Sequence, residues 1–111
     1  MERGQYDLTI SDSNKALEIN PRNPVAYNNR GVAHYHKGEY DQAISDVNKA
    51  LEINPRFYMP YYNRGRAYAK KENHDQAISD YSKALEINPK YAPSYYDRGY
   101  VYYLRKEYDK C

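Results

Sequence analysis

The heptapeptide Lys-Ala-Leu-Glu-Ile-Asn-Pro occurs three times, at 15–21, 49–55 and 83–89, each copy 34 residues after the last. Ile-Ser-Asp recurs on the same interval from Ile10, Ile44 and Ile78, and Arg-Gly from Arg30, Arg64 and Arg98. Asp7, Asp41, Asp75 and Asp109 keep the same spacing. Three unrelated words on one period mean that a single supersecondary unit is stacked on itself. Such a unit buries its apolar face only against its neighbours. The chain of 111 residues is therefore read as one array, 1–111, and not as two domains.

Each period predicts two helices. Segments 24–37, 58–71 and 92–105 carry Pro24, Pro60 and Pro93 in their first turns, where an N–H has no helical partner to lose. Segment 40–53 places Tyr40, Ala43, Ile44, Val47, Ala50, Leu51 and Ile53 at helical spacing. Asp41 suits the positive end of that helix, and Asn54-Pro55 stops it, because the residue before Pro disfavours the α region. Gly38 marks the turn between the two helices. No segment alternates like a strand, so the expected class is all-α.

Composition limits what the array can be. Leu, Ile, Val and Phe together are no more numerous than Tyr, which occurs 16 times, so a thin core of Ala and Tyr is expected. A net charge of +2 argues against disorder, and without a clustered basic face it argues against nucleic acid. No run nears the roughly 20 apolar residues of a membrane span. The first residues lack the apolar stretch of a signal peptide, so the expected compartment is the cytoplasm. One cysteine, Cys111, excludes an internal disulfide and is expected to be a free, exposed thiol.

With these residues in view the chain resembles the tetratricopeptide repeats, whose unit is a 34-residue helix–turn–helix. The pattern stands here as Tyr27, Gly31, His34, Ala43, Val47, Ala50 and Pro55, and again as Tyr61, Gly65, Tyr68, Ala77, Tyr81, Ala84 and Pro89. Two departures are Arg30, Arg64 and Arg98 before the Gly, where a large aliphatic is usual, and Glu72 in place of the turn Gly. The frame is a half repeat (1–21, second helix), whole repeats at 24–57 and 58–91, and a half repeat (92–111, first helix), for which five helices are expected. The resemblance implies an α-solenoid of antiparallel pairs forming a right-handed superhelix.

It also implies a groove lined by first helices. The expected peptide-binding residues are Asn28, Asn29, Val32, Tyr35 and His36, then Tyr62, Asn63 and Arg66, then Tyr96, Asp97 and Tyr100. Val25, Met59, Lys70 and Tyr103 are expected beside them. Tyr gives large contact area at low entropic cost, and amides pair with both groups of a peptide backbone. In some members of the family an Asn in the column of Asn29, Asn63 and Asp97 holds an extended peptide; plain solvation of the groove is the alternative. Asn63 is expected to lie off the packing face. A clamp for a C-terminal carboxylate is not expected, since only Asn63 matches its pattern and Asp97 would repel the ligand.

The arginine column is given a structural role, as an inter-repeat ladder Asp12–Arg30, Asp46–Arg64 and Asp80–Arg98. His34 and His36 point roughly 200° apart on a helix and share no metal. His74 takes the place of Tyr6 and Tyr40, a packing position. Neither a metal nor a cofactor is expected, and no arrangement for catalysis is readable. The expected function is non-catalytic binding of a protein or peptide partner. The alternative is self-assembly, with Tyr95, Tyr102, Tyr103 and Leu104 of the last helix packing on the first helix of another copy, where Leu8, Thr9 and Ser13 lie.

Overall fold

Six helices joined by short turns make up residues 3–109, the part of the chain that the computed structural model describes. They are α1 (Arg3–Ile19), α2 (Pro24–His36), α3 (Tyr40–Ile53), α4 (Tyr58–Lys70), α5 (His74–Ile87) and α6 (Ala92–Asp109). The expectation of five was wrong: one half repeat, two helical pairs and a second half repeat make six. Cys111 lies outside the described residues. Among those residues no helix is long and apolar enough to cross a membrane.

The recurring words of the sequence are the joints of this array. Asn20, Asn54 and Asn88 each turn a side-chain oxygen onto the N–H two residues on, at Arg22, Arg56 and Lys90, at 3.1–3.2 Å. This closes an Asx turn at every Asn-Pro. Asn54 and Asn88 are extended, with φ −138° and −132°, as a residue before Pro must be. Asn23 then caps α2, accepting from the N–H groups of Val25 and Ala26. After α2 the chain reverses through Gly38 at φ 81°, and the N–H of Glu39 reaches back to the carbonyl of His34. That closure needs a left-handed residue after the helix. Glu72 repeats the turn at φ 64°, so Glu adopts a conformation that Gly takes freely.

Consecutive helices pack pairwise from α1 to α6, and α2 touches α4 as α4 touches α6, giving a body of 49 × 29 × 20 Å. Small residues let the helices approach: Ala43, Ala50, Ala77 and Ala84 are buried where second helices cross first ones. Gly31 and Gly65 complete the crossings, since a Cβ there would meet Val47 at 3.0 Å or Tyr81 at 2.7 Å. Tyr81 fills the thickest part of the core against Tyr62, Ala77, Ala84 and Val101, and its carbonyl accepts from the buried hydroxyl of Ser94 at 3.0 Å. Burying one large apolar side chain is worth about 1.5–3 kcal/mol, so each such residue carries weight in so thin a core.

The arginine ladder exists, but its register differs from the expected one. Arg30 grips Asp46 through Nε and Nη2 at 2.9 and 2.7 Å, and Arg64 grips Asp80 the same way at 2.8 Å each. Each Asp belongs to the second helix of the same pair, sixteen residues on. The remaining nitrogen, Nη1, reaches sixteen residues back, to Asn14 from Arg30, to Asn48 from Arg64 and to Ser82 from Arg98. The expected partners stood two residues too early: Asp12 and Asn14 point roughly 200° apart on α1, so only Asn14 faces Arg30. A second, more exposed ladder joins Lys37 to Asp7, Lys71 to Asp41 and Arg105 to Asp75, thirty residues apart each time.

Candidate functional site

The first helices of successive pairs place residues at one helical spacing toward a common cleft. On α4 these are Tyr62, Arg66, Ala69 and Lys70; on α6 they are Asp97, Tyr100, Val101 and Leu104. Both sets follow i, i+3/i+4, i+7, the spacing that puts side chains on one face of a helix. Tyr35 of α2, Glu72 of the turn, and His74 and Tyr81 of α5 close a cleft of about 620 Å³.

Its floor is phenolic and its walls are charged. Tyr62 is buried, donates its hydroxyl to Asp97 Oδ2 at 2.6 Å, and packs its ring 5.7 Å from that of Tyr81. Desolvation, and then the Asp97 carboxylate, push the Tyr62 phenol far above its ordinary pKa; desolvation does the same to Tyr81. Both stay neutral donors at any physiological pH. Arg66 lies 4.4 Å over the ring of Tyr35 and 5.4 Å from that of Tyr62. Two aromatic faces therefore hold its guanidinium, and its donors stay at the cleft. The arrangement can stack on an apolar or aromatic side chain, donate from Arg66 and Lys70, and accept at Asp97.

Tyr35, Tyr62, Arg66, Asp97 and Tyr100 thus come together from the expected groove set, with Lys70 beside them. The other members go elsewhere. Asn63, expected off the packing face, is 6% exposed and donates to the equally buried Asn28 at 3.0 Å. Position 63 faces the neighbouring first helix rather than the open side, so that amide holds two repeats together. Asp97, in the same column, is likewise engaged by Tyr62. Val32 is half-buried and Val25 exposed. His36 is exposed and stacks on Tyr6 at 5.0 Å; partial burial, and then Arg66, hold its imidazole below the ordinary histidine pKa. His34 turns the other way, to Glu39 at 2.7 Å. Among the described residues no cluster of three His, Cys, Asp or Glu could hold a metal.

Asn29 lies outside the cleft, in a separate hollow of about 290 Å³ with Thr9, Asp12, Ser13, Ala16 and Val25. Of the three α1 residues expected at a self-association face, Ser13 is buried there, whereas Thr9 and Leu8 are exposed. At the far end Tyr95, Tyr96, Tyr102 and Tyr103 are 46–78% exposed, while Leu104 is half-buried at the cleft. Sequence reading missed Ala69, Glu72, His74, Tyr81 and Val101 as cleft residues. Counting three and four residues on from Arg66 and Asp97 finds Ala69 and Val101, but no spacing rule brings the start of α5 to the cleft.

The family pattern of the tetratricopeptide repeat matches residues 24–57 and 59–91. Related patterns of the same repeat match 1–38 and 80–111. No curated protein sequence matches the chain. Among solved structures it is similar to the first TPR of Spaghetti (RPAP3) bound to the HSP90 peptide SRMEEVD, with 27% identity, a TM-score of 0.88, and 93% of this chain and 82% of that one covered. The first TPR domain of human RPAP3 gives 26%, 0.91, 96% and 84%. The Sgt2 TPR domain of Aspergillus fumigatus, at 22% identity and a TM-score of 0.91 over 98% of this chain and 74% of that one, matches in fold.

Proposed function

The chain belongs to the tetratricopeptide repeat family, and from that premise we propose that it is a non-catalytic interaction module taking a peptide or a partner's helix into the cleft between α4 and α6. Domains of this family are protein-interaction modules, and a similar domain holds a heptapeptide. The observation that carries the reading is the combination of Tyr35, Tyr62 and Tyr100 faces with Arg66 and Lys70 donors around one opening. Rigid phenol rings bind at low entropic cost, and a guanidinium already stacked loses little freedom when it donates. With Asn63 and Asp97 engaged inside the molecule, the side chains of the cleft, rather than an amide ladder, make the contacts.

A peptide selected from a random library and titrated calorimetrically tests the reading. Tyr100→Ala and Arg66→Ala should each weaken binding about tenfold or more, or about 1.4 kcal/mol. Unchanged affinity in both variants would remove the cleft from consideration. A second reading, self-association of copies, is favoured by one observation. Gly31 and Gly65 are pressed against a second helix, whereas nothing lies within 4 Å of a Cβ built on Gly99.

A further inference from the structure

Resting on the interaction reading above, we infer that the cleft takes an acidic side chain next to a large apolar one within a partner's chain. Arg66 and Lys70 receive the carboxylate, and the floor above Ala69 receives the apolar group. The period of the array explains why there is room. Between α2 and α4 the corresponding place is filled, since the Arg66 guanidinium lies 4.4 Å over the Tyr35 ring. One period of 34 residues on, Ala69 stands in the place of Tyr35, and Tyr100 in the place of Arg66. An alanine where the earlier step has a phenol ring leaves space between α4 and α6, where the cleft of about 620 Å³ lies. Ala69 is half-buried against the Tyr62 and Tyr81 core, with buried Val101 and half-buried Leu104 lining the same cleft. A large apolar side chain from a partner takes the place of the missing ring there.

Charge selects the rest of the ligand. Arg30, Arg64, Arg98 and Arg105 each donate to an oxygen of a second helix, at Asp46, Asp80, Ser82 and Asp75. Among the described residues the side chains of Arg66 and Lys70 make no hydrogen bond or ion pair, and both line the cleft. The other charged groups of the cleft are engaged: Tyr62 holds Asp97 at 2.6 Å, and Glu72 and His74 have partners within the chain. The charge of Arg66 reaches its surroundings. It opposes the rise that burial imposes on the phenols of Tyr62, Tyr81 and Tyr91, and it adds to the lowering that burial imposes on His36.

A guanidinium held over two rings presents its N–H groups in a plane, which a carboxylate matches with two parallel bonds. A dianionic phosphate would meet Asp97 and Glu72 across the same opening with twice the charge, so the singly charged carboxylate is favoured. The acid is a side chain and not a chain terminus. Of the residues that would grip a terminal carboxylate only Asn63 is present, and its amide is buried against Asn28.

A pool of random heptapeptides, acetylated at one end and amidated at the other, selected on the full chain tests this, with circular dichroism to show that each variant is folded. Wild type should enrich Asp or Glu beside an aromatic or large aliphatic residue. The leading peptide, titrated calorimetrically, should bind about tenfold or more weakly once its acid is changed to the amide. On Arg66→Met, which keeps an apolar side chain against Tyr35, the acid and amide peptides should bind equally. Ala69→Tyr, which restores the ring of the preceding repeat, should remove the binding of both. No enrichment by wild type would overturn the interaction reading and this ligand together. Enrichment without an acid, or an acid preference that survives in Arg66→Met, would leave the reading standing and overturn the ligand. Full binding by Ala69→Tyr would overturn the place given to the apolar group, and tighter binding of a phosphotyrosine analogue would overturn the carboxylate.

Discussion

Asn63 donates its amide hydrogen to Asn28 across the junction of the two whole repeats, Nδ2 to Oδ1 at 3.0 Å, with both side chains buried. An amide pair in that position satisfies itself only while both members are present. Asn63→Ala leaves the Asn28 oxygen buried without its donor, which costs about 1–2 kcal/mol. Urea denaturation should show that loss at an unchanged slope. A variant as stable as the parent would mean that the bond adds nothing to the junction.

The arginine ladder gives a larger effect. Arg64 is held by Asp80 through two parallel bonds, and that bonding raises the guanidinium pKa despite its partial burial. Asp80→Ala would leave a half-buried cation without its carboxylate, for a loss of about 2–3 kcal/mol. The Lys71–Asp41 pair is the internal control. Its carboxylate is 85% exposed, and Asp41→Ala should change stability by less than about 0.5 kcal/mol. Equal losses in the two variants would contradict the difference in burial on which this rests.

The period of 34 residues makes the repeat frame legible in the sequence itself, because Asn-Pro, the first-turn Pro and Gly38 each carry a local backbone requirement. Which side of a first helix faces its neighbour is not legible there. Asn28 and Asn63 look in sequence like groove amides, and only the packing of α2 beside α4 shows them buried against each other. The expected Arg–Asp register fails for a related reason. Asp12 and Asp46 are equivalent in sequence, but Arg30 takes the Asp of the following helix, and on α1 it is Asn14, on the other face from Asp12, that meets it. Tyr62, Arg66 and Tyr100 are found because side chains repeating on one helix face stay on that face when the helices stack.

Glu72 carries a strain that the neighbouring repeat avoids. It occupies the left-handed region at φ 64°, where Gly38 sits at φ 81° in the preceding turn. A left-handed conformation costs an L-residue about 1–2 kcal/mol, part of which returns through the greater freedom of Gly in the unfolded chain. Glu72→Gly should therefore stabilise the array by about 0.5 kcal/mol. The melting temperature should rise by a few degrees, on the scale of about 4–8 °C per kcal/mol for a domain of this size. A fall would show that the contacts of the Glu72 side chain outweigh its backbone strain.

The same substitution should act with opposite signs at two equivalent glycines. At Gly65 an added Cβ would lie 2.7 and 2.8 Å from the ring of Tyr81 and 3.2 Å from the Ala77 carbonyl. Tyr81 is 2% exposed and wedged against Tyr62, so neither ring nor backbone can give way cheaply. Gly65→Ala should cost about 1–3 kcal/mol through overpacking. Gly99 occupies the corresponding place on α6, with nothing within 4 Å of the new methyl. There the helix propensity of Ala governs, and Gly99→Ala should add about 0.5–1 kcal/mol. Urea denaturation at about 1 μM, dilute enough to keep copies apart, measures both. If Gly99→Ala were also destabilising in dilute solution, α6 would have to meet a second helix within its own chain, and the open face described above would not exist.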